Sequence, residues 1–228
     1  MGALAFGLAF PSLLTLVYFV VLSEAARPVQ QGVYVVGKAL QFGLPVFLLL
    51  RRHPRPWSLA WPSGRGAALG VAFGLAVLVA GLALHHGVLV PHRVLDGAPA
   101  AAIRAKVLGF GVTGPWRFLA LGAFYSLVHS AAEELYWRGF VFGGLREVCR
   151  PGRAALWSSA GFTAHHVILL SVFFGWGSPW TWTLSLAVGV GGAFWAWLYQ
   201  RSGSLVGPWL GHLLVDAAIF LIGWDLVR

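Results

Sequence analysis

The chain has 228 residues, of which 58% are hydrophobic and 10% are charged, and its mean hydropathy is +0.77. This composition leaves too little polar surface to cover a soluble globule, so we expect a polytopic membrane protein. The net charge of +9 comes from basic residues scattered over predicted loops, which argues against a nucleic-acid-binding face and favours contact with membrane lipids that have anionic headgroups.

Apolar stretches long enough to cross a bilayer occupy most of the chain, since each transmembrane helix needs about 20 mostly apolar residues. The sequence therefore predicts an all-α fold, a polytopic membrane helix bundle with about seven transmembrane helices. In chain order, the predicted spans are 2–22, 33–50, 67–90, 116–144, 154–174, 180–199 and 205–224.

The longest predicted connection, residues 91–115, is rich in Gly and Pro. Such a segment breaks membrane helices, although residues 100–108 are expected to form a short interfacial helix within it. We expect this connection to divide the chain into an N-terminal three-span region with its interfacial loop, 1–115, and a C-terminal four-span region, 116–228.

Arginines predict the orientation of the spans, because cytoplasmic loops carry an excess of Lys and Arg. The connections after the second, fourth and sixth spans carry such residues, which places the N-terminus in the cytoplasm and the protein in the plasma (inner) membrane. The bias is moderate, since other basic residues fall on the opposite side. The arginines that carry the prediction are Arg51, Arg52, Arg55, Arg65, Arg146, Arg150, Arg153 and Arg201.

The fourth predicted span contains two adjacent acidic residues, Glu133 and Glu134. A charge at the centre of a bilayer costs about 2.5 to 3.5 kcal/mol on insertion scales, so this placement indicates a functional site. Glu134 is four residues before Arg138, the spacing of a helical ion pair, and is expected to be structural. Glu133 is turned about 100° away, on the face of His129, and is the candidate general base.

Two other predicted spans carry ionisable residues. His165 and His166 lie in the fifth span, and His212 lies in the seventh, four residues before Asp216. Glu133, His166 and His212 are each 11 to 13 residues from the nearest predicted cytoplasmic arginine, so straight helices bring them to one depth. His165 points about 100° away from His166 and is expected to pack rather than to face the site.

Three motifs in order then resemble a known family. Residues 133–138 fit EExxxR, residues 162–166 fit FxxxH, and residues 212–216 fit HxxxN/D. In this respect residues 116–224 resemble the CPBP intramembrane proteases, also called the Abi or CAAX protease family. The resemblance implies a membrane endopeptidase, with 116–228 as a CPBP/Abi-like protease core built on four catalytic helices.

The resemblance also implies roles for individual residues. Glu133 and His166 would activate a water, while His212 and Asp216 would orient that water or stabilise the oxyanion. The supporting residues would be Glu134, Arg138 and His129. The family's prenyl endopeptidases usually have Asn at the position of Asp216. Because an ionised Asp cannot donate a hydrogen bond to an oxyanion, Asp216 is either protonated or has another role.

The sequence does not decide whether the protein uses a metal cofactor. Glu133, His166, His212 and Asp216 together offer nitrogen and oxygen ligands that suit Zn²⁺ or another divalent metal, which would make a metalloprotease. The family has been described both in those terms and as metal-independent glutamate proteases. The chain has no HExxH, GxGD or convincing rhomboid serine motif, so the resemblance alone carries the reaction class.

The expected substrate is a membrane-anchored or lipidated peptide or protein, cut near a lipidated, membrane-embedded or C-terminal sorting segment, because the site lies among membrane helices. The sequence leaves the oligomeric state open. The alternative is a non-catalytic membrane scaffold, immunity factor or ion- and ligand-binding protein that uses the same buried polar groups.

Overall fold

The computed structural model describes residues 2–51 and 64–228, so Arg52 and Arg55 of the predicted orientation signal lie outside the described residues. Within these ranges the fold is all-helical and contains no strand. We number the helices as α1 (Gly2–Leu16, prolonged by a π-helical segment, Val17–Val21), α2 (Arg27–Leu50), α3 (Gly64–Leu84, prolonged by a π-helical segment, His85–Leu89), α4 (Ala98–Gly109), α5 (115–146), α6 (Pro151–Phe174), α7 (Pro179–Ser202) and α8 (Val206–Val227).

Seven of these helices correspond to the predicted spans. Among the described residues, six helices, namely α1, α2, α3, α6, α7 and α8, are long and apolar enough by themselves to cross a membrane. The seventh, α5, has the length to do so, but its acidic pair and its other polar residues lower its hydropathy. The prediction of an integral membrane protein with about seven helices is therefore confirmed.

Proline and glycine set several helix boundaries. Pro115, Pro151 and Pro179 each occupy the first turn of a helix, where the missing N–H group costs nothing. Gly203 ends α7 with a φ of 66°, in the left-handed region that glycine adopts readily. The prediction placed the start of the second span too late, at 33, because its first turns are polar, whereas α2 begins at Arg27.

The outer surface of the bundle is apolar, as a lipid-facing surface must be. Val35, Leu156 and Leu186 are 65%, 65% and 68% exposed. By contrast, Glu134 and Arg138 are almost completely buried inside the bundle. This distribution is the reverse of a soluble protein's and matches a chain whose solvent is lipid.

Helix α5 lies at the centre of the bundle and departs from regular α-helical geometry. It consists of Pro115–Ala123, a π-helical Phe124–His129, Ser130–Glu134, a π-helical Leu135–Phe142 and Gly143–Arg146. The acidic pair thus lies on one short α-helical segment between two wider turns. π-helical turns of this kind often occur at functional sites. The sequence analysis treated this span as a uniform α-helix, and the apolar pattern gave no sign of the wider turns.

Helices α3 and α8 approach each other through glycines. A Cβ atom added at Gly74 would lie 2.8 Å from the carbonyl oxygen of Gly211, and one added at Gly207 would lie 2.6 Å from that of Gly66. Gly70 makes a similar backbone contact with Gly207. Only glycine permits such contact between helix backbones, as in small-residue packing motifs of membrane helices.

The N-terminal spans therefore pack directly on the four-span region. Helix α1 packs on α6, and the Tyr136 hydroxyl of α5 donates a hydrogen bond to the Gly7 carbonyl of α1 over 2.9 Å. Helix α4, predicted at 100–108, is present as Ala98–Gly109, and its Lys106 lies 3.7 Å from the ring centroid of Tyr18. The division into regions 1–115 and 116–228 stays a prediction.

Candidate active site

His212 of α8 lies at the centre of a buried polar cluster that joins α8 to α5. Its side chain lies between the two adjacent glutamates of α5. The Nδ1 atom is 2.8 Å from Oε1 of Glu134, whereas the Nε2 atom is 3.8 Å from Oε2 of Glu133. All three side chains are buried, with exposures of 4% for His212, 5% for Glu133 and 0% for Glu134. Glu133 and His212 thus meet, as the comparison of depths predicted for these two residues.

The Nδ1 side of His212 is held by a chain of short hydrogen bonds. Arg138 donates from Nη1 to Oε1 of Glu134 over 3.0 Å and from Nη2 to the Gly192 carbonyl of α7 over 3.1 Å. The predicted ion pair between Glu134 and Arg138 is therefore present. Since Nδ1–H donates to the Glu134 carboxylate, the Nε2 atom of a neutral His212 carries the free lone pair. This lone pair is directed to the side of Glu133.

The Nε2 side of His212 is more open. Nε2 lies 3.7 Å from Oδ1 of Asp216 and 3.8 Å from Oε2 of Glu133. On the far side of Glu133, Oε1 is 3.9 Å from Nε2 of His129. Each of these separations is longer than a direct hydrogen bond, which spans about 2.7 to 3.2 Å for N–H···O. His212 and His129 thus lie near Glu133 without a direct hydrogen bond to it.

Aromatic rings complete the surroundings of His212. The indole of Trp195, from α7, stacks on the imidazole with ring centroids 4.4 Å apart and planes inclined by 16°. The guanidinium of Arg138 lies 5.1 Å from the Trp195 ring centroid and 5.2 Å from that of Phe162. The sequence analysis missed Trp195, because one indole in a chain with 12 Trp gives no signal of its own.

Helix α2 contributes a cation that sequence reasoning also missed. Lys38 interacts electrostatically with Glu133, and its ammonium lies 5.2 Å from the ring centroid of Phe42 and 5.8 Å from that of Tyr34. A lone lysine within the predicted span 33–50 was the available signal. It indicates that a span without family motifs also shapes the environment of Glu133.

His166 is oriented by a carbonyl of its own helix. Its Nδ1–H donates to the Phe162 carbonyl over 2.8 Å, which leaves Nε2 as the free ring nitrogen. In the described part of the chain, no hydrogen bond or ion pair joins His166 to Glu133. The Phe162 ring packs near both histidines of the motifs, because its centroid is 4.7 Å from that of His166 and 6.0 Å from that of His212.

His165 packs against aromatic rings beside His166, with the two imidazole centroids 4.2 Å apart. Its ring is parallel to the indole of Trp137, with centroids 5.7 Å apart and planes inclined by 2°. His165 is 8% exposed and packs in the core of the bundle. The stacking on Trp137 agrees with the expectation that His165 packs, although His165 also interacts electrostatically with Glu133. The assignment of His166 rather than His165 to the site stays a prediction.

The four predicted metal ligands do not form a compact set. Two ligands of one tetrahedral zinc lie about 3.3 to 3.5 Å apart, given bond lengths of about 2.0 to 2.2 Å. The separations from Nε2 of His212 to Glu133 and Asp216 approach this value, but His166 is not among its neighbours. Among the described residues, the three-residue group with all ligand atoms within 4.8 Å of one another lies elsewhere, at His85, His86 and Asp225. The geometry therefore does not favour a four-ligand zinc centre at this site.

The residues of this cluster lie in a part of the chain that matches a known protein family. Residues 115–218 match the family model described as Type II CAAX prenyl endopeptidase Rce1-like. This match is consistent with the CPBP/CAAX protease family that the three sequence motifs resemble. The comparisons with curated proteins and with solved structures gave no match.

The match to the CAAX protease family spans every residue of the cluster that α5 and α8 provide, from His129 to Asp216. The match points to intramembrane endopeptidase activity and agrees with the family resemblance of the three sequence motifs. It also includes α6 and α7, which supply His166 and Trp195. The roles of the individual residues, the metal content and the substrate go beyond what the match states.

Proposed function

We propose that this protein is an intramembrane endopeptidase in which Glu133 activates a water for attack on a peptide bond. The observation that carries the proposal is the arrangement around His212. Glu134 and Arg138 fix its Nδ1 side, so that its Nε2 lone pair is presented to Glu133 at 3.8 Å. That spacing suits a water bridging the two groups better than a direct contact between them.

The proposed reaction begins with the bridging water. Glu133 removes one proton from the water as its oxygen attacks the carbonyl carbon of the substrate, and the carbonyl becomes an oxyanion. Glu133 then returns this proton to the leaving amine when the C–N bond breaks. His212 accepts a hydrogen bond from the water through Nε2 and so orients its oxygen toward the substrate.

Asp216 and His166 have secondary roles in this proposal. A protonated Asp216 donates a hydrogen bond to the oxyanion, which is what the Asn of related prenyl endopeptidases can also do. His166 presents its free Nε2, since its Nδ1–H is held by the Phe162 carbonyl, and helps to orient the water or the substrate. His129 supports Glu133 from the opposite side, at 3.9 Å. No step of the proposed reaction passes through a metal.

The substrate proposed is a membrane-anchored peptide that is prenylated or otherwise lipidated near the cut. CAAX proteases act on membrane-anchored prenylated substrates, and the cluster in this protein is enclosed by membrane helices. We propose further that the N-terminus is cytoplasmic and that the protein resides in the plasma (inner) membrane. Arg146, Arg153 and Arg201, at or near the ends of α5, α6 and α7, support this orientation.

Cleavage of quenched-fluorescent, prenylated peptides by the purified protein in nanodiscs tests the proposal. We expect the unaltered protein to cut at least one peptide of the panel, and Glu133→Gln to lower kcat/KM about 10²- to 10⁴-fold, the range for loss of a general base. His212→Ala should also lower kcat/KM strongly. Glu24→Gln, which alters an exposed glutamate between α1 and α2, is the matched control and should cut normally.

Three outcomes would count against the proposal. Equal cleavage by the unaltered protein, Glu133→Gln and His212→Ala would show that this cluster is not the active site. A panel of prenylated and unprenylated membrane-anchored peptides that is not cut at all would favour the non-catalytic alternative. Loss of cleavage on removal of divalent metals at an unchanged folded fraction, restored by Zn²⁺, would replace the glutamate mechanism with a metal-dependent one.

A further inference from the structure

A second cluster of histidines and a carboxylate lies far from His212, where α3 and α8 end together. His85 and His86 begin the π-helical segment His85–Leu89 that prolongs α3. Asp225 lies in the last turn of α8, nine residues beyond Asp216 and thus about 13 Å farther along the helix. All three residues lie outside residues 115–218, which match the protease family. The proposed peptidase reaction makes no use of them.

The spacing of the three side chains is that of ligands around one metal ion. Nε2 of His85 is 3.3 Å from Oδ2 of Asp225, and Nε2 of His86 is 3.9 Å from the same oxygen. Ligands of a tetrahedral zinc at about 2.0 to 2.1 Å are about 3.3 to 3.4 Å apart. His85 and Asp225 already have this separation, and the exposed side chain of His86 reaches it by a small rotation.

The burial of His85 points independently to a ligand. Its side chain is 1% exposed, and neither of its ring nitrogens has a hydrogen-bond partner. Buried polar atoms are nearly always satisfied, so an unpartnered imidazole that faces a carboxylate requires an explanation. A cation between Nε2 and Asp225 provides one for Nε2.

The remaining contact of Asp225 leaves this oxygen available. Arg228 donates from Nη2 to Oδ1 of Asp225 over 2.9 Å, whereas the two histidines face Oδ2. The carboxylate can therefore bind a cation through Oδ2 and keep its ion pair through Oδ1. His86 is 62% exposed, which opens a path from the aqueous side.

We propose that His85, His86 and Asp225 bind a divalent transition-metal ion of the Zn²⁺ class. Two imidazole nitrogens and one carboxylate oxygen are ligands that zinc accepts, with a water in the fourth position. Mg²⁺ and Ca²⁺ prefer oxygen ligands, so this set selects against them. The bound ion joins the end of α3 to the end of α8, the helix that carries His212 and Asp216.

Zinc binding by the full chain in detergent micelles tests this site. Zn²⁺ is titrated into metal-free protein in competition with a chromophoric chelator. We expect one tight equivalent for the unaltered protein and a loss of affinity of about a hundredfold or more for His86→Ala and for Asp225→Asn, since even groups that only orient ligands contribute about 10- to 100-fold. His86→Cys, which keeps a zinc ligand, should restore most of the affinity.

Two control variants locate the binding. His92→Ala removes an exposed histidine that follows the π-helical segment, and Glu133→Gln alters the proposed active site; both should bind Zn²⁺ as the unaltered protein does. Zn²⁺ should also raise the thermal midpoint of the unaltered protein but not that of His86→Ala, because binding to the folded state alone stabilises it.

The proposal is overturned if the unaltered protein binds no Zn²⁺ with micromolar or tighter affinity. It is equally overturned if His86→Ala and Asp225→Asn bind Zn²⁺ as well as the unaltered protein does, or if Glu133→Gln alone removes the binding. Because His86 is largely exposed, its truncation leaves the packing of α3 on α8 intact, and a loss of affinity reports on the ligand rather than on the fold.

Discussion

The two sides of His212 differ in how firmly their groups are held. On the Nδ1 side, Glu134, Arg138 and the Gly192 carbonyl form a chain of hydrogen bonds between 2.8 and 3.1 Å long. On the Nε2 side, the distances to Glu133 and Asp216 are 3.8 and 3.7 Å. The first side fixes the imidazole, and the second leaves room for reacting groups. Adjacent glutamates of one helix thus serve different purposes.

The charges on the two sides follow the same division. Glu134 and Arg138 neutralise each other inside the bundle, where neither could be buried alone. Glu133 has no such direct partner, although His129 and Lys38 lie near enough to interact with it. From this contrast we expect that a substitution on the Nδ1 side of His212 reduces the stability of the fold. A substitution on the Nε2 side should reduce activity without unfolding the protein.

The largest effect is expected from Arg138→Met, which removes the charge from the firmly held side. Glu134 would remain buried without its partner, at a cost of about 3 to 5 kcal/mol. Thermal unfolding in detergent, followed by circular dichroism, should show a much lower midpoint than for the unaltered protein. Glu133→Gln is the matched variant on the other side, and its midpoint should stay close to the unaltered value. Similar losses in both variants would remove the distinction between the two glutamates.

A smaller effect, on activity alone, is expected from His166→Gln. Loss of its free Nε2 should lower kcat/KM about a hundredfold, at the lower end of the range for acid–base groups, with little change in thermal midpoint. The neighbouring His165→Gln changes a ring that packs on Trp137 and should leave kcat/KM within about threefold of the unaltered value, after correction for the folded fraction. A larger activity loss in His165→Gln than in His166→Gln would reverse our assignment of the two histidines.

Gly74→Ala tests whether the packing of α3 supports the Nε2 side. Its Cβ would lie 2.8 Å from the Gly211 carbonyl, so α3 and α8 must separate, at a cost of about 1 to 3 kcal/mol. The thermal midpoint should fall, and His212 and Asp216 should move with α8. Gly81→Ala, on the same helix, would place its Cβ 3.9 Å from the nearest side-chain atom, in Ile222, and should be tolerated. Equal stability of the two variants would show that the backbone contact is unimportant.

The smallest effect is expected from Asp216→Asn. The amide can donate the hydrogen bond that we assign to the protonated acid, so kcat/KM should stay within about tenfold of the unaltered value. Asp216→Leu keeps similar volume but has no donor, and it should lose at least tenfold more. If the Asn variant is as inactive as the Leu variant, Asp216 acts as a carboxylate and the oxyanion has another donor.

Much of this arrangement could be predicted from the sequence, because it depends on patterns within single helices. Apolar length predicted the spans, and spacing of four residues predicted the pair of Glu134 with Arg138. The meeting of Glu133 with His212 followed from equal depth along two helices. Each of these predictions uses only the length of an apolar stretch or the spacing of residues along one helix.

The remainder depends on contacts between helices, which no spacing within one helix reports. Trp195 stacks on His212 from a helix without a motif, and Lys38 approaches Glu133 from α2. The hydrogen bond from His212 to Glu134 gave the second glutamate a direct part in orienting the imidazole, where sequence spacing showed only its pairing with Arg138. The π-helical turns of α5 were also not predicted, because the apolar pattern of the sequence does not distinguish a π-helical turn from an α-helical one.

The glycine contact between α3 and α8 shows that the packed unit extends beyond the residues that match the family model. The family match begins at residue 115, yet the face of α8 behind His212 is covered by the backbone of α3. A fragment that starts at the family boundary would expose the Gly207 and Gly211 backbone to lipid, where no side chain fills the groove. The shortest stable form of this protein should therefore retain α3, and any replacement of the N-terminal spans must preserve the glycines on both helices.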